Sequence, residues 1–319
     1  MSSDTQPPVE AQCADAVLMV RPANFGANPE TVDSNRFQQA NARPGDVQAA
    51  LREFDGIAGS LARAGVEVHV ADDTPAPVKP DACFPNNWVS FHADGSVVLY
   101  PMMAPSRRAE CREAPIGQLR RAGFQVARTI DLRPLEARGE YLEGTGSLVL
   151  DRSHRIAYAC RSPRTTAAAL ADFAAALGYR VVAFDALGPD GRPAYHTNVL
   201  MAVGERFAIV CAEAIPDAAR RAAVLRALEE TGHEVIEIDI AEMNRYAGNL
   251  LALQARDGGA LIAGSDVAWG ALAPDRRRRL ERHGAIVTAP IPTIERLGGG
   301  SVRCMIAEVF LPRGMTGAG

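Results

Sequence analysis

Short apolar runs recur in pairs along this chain of 319 residues, each pair split by a polar turn and followed by helical periodicity and one more apolar run. Trp88 to Phe91 turns at Ala93-Asp94-Gly95 into Val97 to Tyr100, with a helix predicted over 106–122 and a strand from Phe124 to Ala127. Ser147 to Leu150 turns into Arg155 to Ala159, then a helix over 165–177 leads to Tyr179 to Phe184. The same order runs through Asn198 to Val203, Phe207 to Cys211, helix 216–231 and Glu234 to Ile238. It runs again through Asn249 to Gln254, Ala260 to Ala263, helix 273–283 and Ala285 to Thr288. A fifth unit draws on both ends: Val302 to Leu311, Ala16 to Val20, helix 46–64 and Val66 to Val70. Pairing the terminal strands closes a ring and removes the open sheet edge, so the pattern predicts a five-bladed α/β propeller of ββαβ repeats. The period is irregular, roughly 50 to 60 residues, which keeps an open α/β sheet as the plain alternative. Residues 1–15 are predicted to be a flexible terminus and 16–312 a single domain.

Composition narrows the class. Hydrophobic residues make up 47% and charged residues 23%, as in an ordinary globular domain, and the net charge is −4. The one dense basic run, Arg276-Arg277-Arg278-Arg279, reads as a solvated helix face, so nucleic acid is not an expected partner. No apolar segment nears the ~18 residues that span a bilayer, and Met1 to Asp15 lacks the regions of a signal peptide. A cytoplasmic protein without membrane attachment is expected, as a monomer or a homo-oligomer. The six cysteines are scattered without a C-x-x-C pair, which argues against both disulfides and a zinc site.

Each unit opens on a small or polar cluster: Asn86-Asn87, Gly146-Ser147, Thr197-Asn198, Gly248-Asn249, and Gly300-Ser301 ahead of Cys304. Rotation would bring all five to one mouth and make a pocket that needs no metal or cofactor. Cys304, after three glycines, is a candidate nucleophile there, although a free cysteine is more often a small buried hydrophobe. His196, in Tyr195-His196-Thr197-Asn198, is placed to move a proton to or from the thiol or a leaving amine. Glu143 occupies the matching position one unit earlier, where a carboxylate would orient the ring. An exposed histidine and an exposed loop glutamate are the plainer readings of those two.

Asp81-Ala82-Cys83-Phe84-Pro85-Asn86-Asn87, Glu143-Gly144, Ser162-Pro163-Arg164-Thr165, His196-Thr197-Asn198 and Gly298-Gly299-Gly300-Ser301-Val302-Arg303-Cys304 together resemble the guanidine-modifying, or pentein, superfamily. That group includes arginine deiminase, dimethylarginine dimethylaminohydrolase and the amidinotransferases. The resemblance, from Val20 to Val309, implies the five-fold propeller and a cofactor-free hydrolase of non-peptide C–N bonds. Cys304 would be its nucleophile, His196 the acid/base and Glu143 the orienting carboxylate. It also implies Asp81, Asn86 and Asn87 as substrate-binding residues, Arg164 as the clamp on a substrate carboxylate, and Arg107 as a second clamp.

Two positions depart from the deiminases, which present carboxylates to the guanidinium where this chain has Asn87 and Asn198. A buried carboxylate suits a cation, whereas an amide suits a neutral group with one acceptor oxygen. The chain is therefore most similar to the citrulline-utilisation hydrolases, and citrulline or an N-acyl relative is the expected small-molecule substrate. Attack on the ureido carbon through a thiocarbamoyl intermediate would yield ornithine, ammonia and carbon dioxide. Asparagines that merely cap turns are the plainer account of the pair. The alternatives are a deiminase, dimethylaminohydrolase or amidinotransferase acting on a guanidino substrate, with Asp81 as countercharge, and a non-catalytic propeller binding module.

Overall fold

The computed structural model describes residues 10–314. Its strands run in chain order as β1 (Ala16–Arg21), β2 (Glu67–Asp72), β3 (Val89–Phe91), β4 (Ser96–Leu99), β5 (Arg128–Asp131), β6 (Val149–Asp151), β7 (Ile156–Cys160) and β8 (Arg180–Phe184). They continue as β9 (Met201–Val203), β10 (Phe207–Val210), β11 (Glu234–Glu237), β12 (Leu251–Gln254), β13 (Ala260–Ser265), β14 (Ala285–Ala289) and β15 (Ala307–Glu308). They form five three-stranded sheets: β15-β1-β2, β3-β4-β5, β6-β7-β8, β9-β10-β11 and β12-β13-β14. In every sheet the first pair is antiparallel and the second parallel. A hairpin needs only a short turn, whereas the parallel partner needs a crossover, which here carries a helix such as Ala167–Leu177 or Ala218–Glu230. The β15–β1 pairing joins the two ends of the chain, with Val17 opposite Glu308.

Burial falls across each sheet. Strands such as β4, β7 and β10 are buried at every position, while the third strands β5, β8 and β11 are half-exposed. This gradient explains the largest mismatch with the sequence. The third strand of the first unit is the polar segment Arg128–Asp131, because it lies at an exposed edge, and Phe124 instead packs beside β2 with its ring against His69. The helix predicted over 106–122 is two, Pro105–Arg108 and Glu113–Arg121.

The unit openings also differ from expectation. Four of them are not strand but single helical turns, at Pro85–Asn87, Gly144–Ser147, Thr197–Val199 and Val302–Met305. The first touches the second and the fourth, and the second touches the third. At the remaining opening, Gly248 packs on the Val199 and Leu200 backbone.

The terminus predicted as flexible is structured from Glu10 onward, while residues 1–9 lie outside the described residues. Glu10 is buried against Arg152 and the Tyr179 hydroxyl, and Gln12 donates to the carbonyls of Leu150 and Val203. These polar bonds anchor a segment that carries too few apolar residues to be recognised by pattern. Among the described residues no helix is long and apolar enough to cross a membrane. All six cysteines are free.

Candidate active site

Cys304 sits in the helical turn after Gly300, with its N–H bonded to the Ser301 carbonyl at 2.9 Å. Gly299 closes the preceding helix, Pro292–Gly298, at φ +63°, and a Cβ there would stand 2.5 Å from the Asn35 amide. Only glycine meets both demands, so the glycine run is a helix stop beside a crowded wall. The Gly299 carbonyl accepts from Tyr195 Oη at 2.7 Å and Asn35 Nδ2 at 3.1 Å, which fixes the nucleophile loop.

One cavity is lined by Cys304, His196, Asp81, Asn87, Arg107 and Arg164, together with Thr31, Asn35, Phe84 and Tyr195. Glu143 lies behind His196, with its Oε2 2.9 Å from the imidazole Nε2. That bond leaves Nδ1 as the nitrogen free to handle a proton. Gly146 makes room for the ring: a Cβ there would lie 2.6 Å from Nδ1 and 2.4 Å from Asn87 Nδ2.

Burial lowers His196 to about 4 despite the pull of Glu143 in the other direction, so the ring is neutral at pH 7. Burial alone would raise Glu143, but Arg164, His196 and Arg107 outweigh it and hold the carboxyl well below its usual range. Neutral imidazole beside ionised carboxylate is a base arrangement.

Arg107 does not stand free as a substrate clamp. Its Nε and Nη2 donate to both oxygens of Glu110 at 2.9 Å, and Nη1 donates to Asn87 Oδ1 at 3.0 Å. Asp81 and Glu143 each lie 3.6 Å away. Arg164 donates to Ser34 Oγ at 2.6 Å, to the Thr31 carbonyl at 3.3 Å and to Glu143 at 3.4 Å. Its Nε is buried without a partner among the described residues. Asp81 receives Asn28 Nδ2 on one oxygen at 2.8 Å, and its other oxygen has no hydrogen-bond partner among the described residues. Burial raises the pKa of Asp81 and pushes Glu110 up to about 7, in both cases against the pull of Arg107.

Two of the residues expected to bind substrate, Asn86 and Asn198, are not among those lining this cavity. Asn86 is buried outside the cavity wall, and neither atom of its amide has a partner among the described residues. The Asn198 amide turns to the nucleophile, donating to Cys304 Sγ at 3.4 Å. Asn249 does the same at 3.4 Å, a residue that its unit-opening motif marked but that had been given no role. Asn28, Thr31, Ser34 and Asn35 come from the long connection between β1 and the helix Asp46–Arg63, and the sequence reading passed over them. A connection of that length without regular structure was the available signal.

The fold has solved counterparts. ArgZ, an arginine dihydrolase from the ornithine-ammonia cycle in cyanobacteria, matches with a TM-score of 0.73 at 16% identity, over 94% of this chain and 41% of that one. The N-terminal domain of ArgZ, bound to substrate, matches at 0.71 and 16% identity over 93% of this chain and 99% of that domain. Dimethylarginine dimethylaminohydrolase in an adduct with S-methyl-L-thiocitrulline matches at 0.61 and 18% identity, covering 92% and 99%. At such identities the likeness is one of fold. No curated protein sequence matches significantly. A family model, described as N,N dimethylarginine dimethylhydrolase, eukaryotic, matches residues 21–311. By that match the chain belongs to the dimethylarginine dimethylhydrolase family, within the pentein superfamily of guanidino-modifying enzymes.

Proposed function

We propose that this protein is a cysteine hydrolase of guanidino amino acids, of the arginine or methylarginine class, working within an α/β propeller that forms one catalytic domain over 16–312. The observation that carries the reading is a buried charge imbalance at the cavity. Among the described residues, the cationic partners of Asp81, Glu110 and Glu143 are Arg107 and Arg164, and His196 is neutral. Burial, only partly offset by Arg107, raises Asp81 and Glu110, so a further cation bound in the cavity would favour their ionised forms. A guanidino amino acid carries that charge, and a ureido amino acid does not. The family match and the arginine-acting neighbours favour the same class, so citrulline, the expectation from Asn87 and Asn198, becomes the second reading.

Cys304 attacks the guanidino carbon, its thiol proton passes through His196 to the terminal nitrogen, and the C–N bond breaks to release ammonia or a methylamine. The resulting S-linked thiouronium is opened by water, whose proton His196 accepts, to give the ureido product and the free thiol. Glu143 fixes the imidazole tautomer throughout. Arg164, with its buried free Nε, is the available partner for the substrate carboxylate.

The second reading is hydrolysis of a ureido group at the same centre, and Asn87 favours it. Its oxygen is occupied by Arg107, which can only donate, so its Nδ2, without a partner among the described residues, is a donor suited to a carbonyl oxygen. Ring closure of the five sheets is supported by the chain of touching unit openings and by strands that meet across sheets, β3 with β15, β6 with β9 and β9 with β12.

The test is kcat/KM for arginine, its methylated forms and citrulline with wild type and Asp81→Asn. Guanidino compounds are expected to lead, and Asp81→Asn to cost them roughly a hundredfold, as for a lost partner of a buried charge. Citrulline turnover alone, unchanged by the substitution, would transfer the function to the second reading.

A further inference from the structure

The acid/base and the nucleophile arrive from different sheets, and little joins them directly. His196 precedes the turn Thr197–Val199, and Cys304 lies in the turn Val302–Met305. The first of these turns packs on Gly144–Ser147 and the second on Pro85–Asn87. Among the described residues, two hydrogen bonds run from segment 195–199 to segment 298–305. One is the 3.4 Å contact of Asn198 Nδ2 with Cys304 Sγ, and sulfur is a weak acceptor. The other is short: Tyr195 Oη donates to the Gly299 carbonyl at 2.7 Å.

Tyr195 is buried in the cavity wall. Its ring centroid lies 4.6 Å from that of the neighbouring His196, Phe37 meets it edge-on at 6.1 Å, and the Arg164 guanidinium carbon stands 5.3 Å away. Such packing needs only a phenyl ring, so the hydroxyl is explained by what it touches. Burial raises the phenol well above its ordinary range, which keeps the proton on the oxygen and makes it a standing donor to the carbonyl. The same carbonyl has a second donor in Asn35 Nδ2 at 3.1 Å. That amide cannot turn over, because its Oδ1 accepts the Phe37 N–H at 3.1 Å. Gly299 ends the helix Pro292–Gly298 at φ +63°, where the chain turns toward Cys304. Its carbonyl is therefore held at that turning point from the histidine side and from the connection after β1.

We propose that Tyr195 is a positioning residue: with Asn35 it anchors the Gly299 carbonyl and so sets the distance between the Cys304 sulfur and the imidazole of His196. This rests on the proposed cysteine hydrolase, which names the nucleophile and its acid/base. A tyrosine directly before the histidine measures the gap with a rigid ring, ending on the loop that carries the sulfur. Removing the hydroxyl leaves the ring against His196, and Glu143 still holds Nε2 at 2.9 Å, so only the nucleophile loop is released. Attack on the substrate carbon requires the sulfur in place, and a misplacement of about 1 Å can cost about a hundredfold. Opening of the adduct by water starts with the sulfur already bonded and depends on the imidazole, which has not moved.

The test is rapid-quench intact mass in wild type, Tyr195→Phe and Tyr246→Phe, with whichever of arginine and citrulline the wild type turns over, giving the rates at which the Cys304 adduct forms and decays. Tyr246 donates its buried hydroxyl to the Glu295 carbonyl of the same helix at 3.2 Å, and so controls for the loss of one buried hydrogen bond. In Tyr195→Phe, formation is expected to slow by roughly tenfold or more while decay and KM stay within about twofold. A hydroxyl that only stabilises the fold would not separate the two steps. Formation in Tyr195→Phe within about twofold of wild type, equal slowing of both steps, or the same pattern in Tyr246→Phe would each overturn the proposal. Should Tyr195→Phe fail to fold, Asn35→Asp decides: it keeps the acceptor for the Phe37 N–H and removes the second donor, so slowed formation supports the anchor and unslowed formation ends it. If the wild type forms no adduct with either compound, the proposed function fails, and hydrogen exchange of peptide 299–305 then tests the anchor without substrate. Faster exchange in Tyr195→Phe than in wild type and Tyr246→Phe keeps it, and equal exchange removes it.

Discussion

At His196, burial and a carboxylate pull in opposite directions, and burial prevails. The ring stays neutral until the pH approaches about 4, so the base needed for hydrolysis is present across the neutral range. Glu110, pushed up to about 7 by burial against Arg107, titrates first. As it takes up a proton the cavity loses negative charge, so KM for a guanidino substrate is expected to rise as pH falls below about 7, while kcat holds until His196 protonates near 4. Steady-state kinetics at a series of pH values checks this, and a kcat that falls before KM rises would contradict it. Stability follows the same histidine. Its folded pKa lies below the unfolded value, so the unfolded chain binds the extra proton, and roughly 3 kcal/mol present above pH 6.5 is lost as pH falls toward 4. Acidification also works against Glu143, whose depressed pKa contributes stability only while it is ionised. Urea denaturation at pH 7 and pH 4.5 reads the sum. Cys304, His196 and Glu143 were legible in the sequence because each follows or precedes a glycine-rich or polar break in an apolar pattern. What such a break does not say is which way an amide points: the Asn198 Nδ2 stands 3.4 Å from Cys304 Sγ, a contact that no local pattern announces.

Elements decide how close these groups come. The short helical turns at the unit openings place Asn87 in the cavity wall and Asn198 against Cys304, where an extended strand would have sent alternate residues to opposite faces. Their sequences, Pro85–Asn87 and Thr197–Val199, are too short for any helical period to register, so pattern assigned Asn198 to a strand. Gly144–Ser147 is the tightest of them. Gly146→Ala places a methyl against both His196 and Asn87, and the ring must move to admit it. A displacement of that size is expected to lower kcat by about a hundredfold with a smaller change in KM. Thermal melting and kinetics together check this, and full activity in the variant would show that the ring has slack. Helices over Asp46–Arg63, Ala167–Leu177 and Ala218–Glu230 were readable to within a few residues, since long periods leave a strong signal. The connection from β1 to the first helix was opaque because its contribution is polar, side chain by side chain, to residues far away in sequence.

At the scale of the molecule, distant segments are tied together by buried charge. Glu10 meets Arg152 at 3.0 Å, Arg152 lies 3.8 Å from Glu308, and Glu308 pairs with Arg303 at 2.9 Å, next to the nucleophile. Glu10→Ala leaves Arg152 short of a partner, at an expected cost of about 3 kcal/mol measured by denaturant midpoint. A loss well below that would mean that water reaches the guanidinium. Nothing in the local sequence around Glu10 announces this network, because its partners lie in other sheets. The repeat itself was visible, since two buried strands in every unit alternate with turns, and the exposed third strands are where its boundaries slipped.

The central claim is a covalent step at Cys304 on a guanidino carbon. The most direct measurement is the intact mass of the protein quenched in acid during turnover of arginine and, separately, of asymmetric dimethylarginine. Because both lose their terminal amine, the two substrates are predicted to leave the same adduct, mapped to Cys304 and absent in Cys304→Ser. Turnover that persists in Cys304→Ser, or an adduct carried by any other residue, would contradict the account.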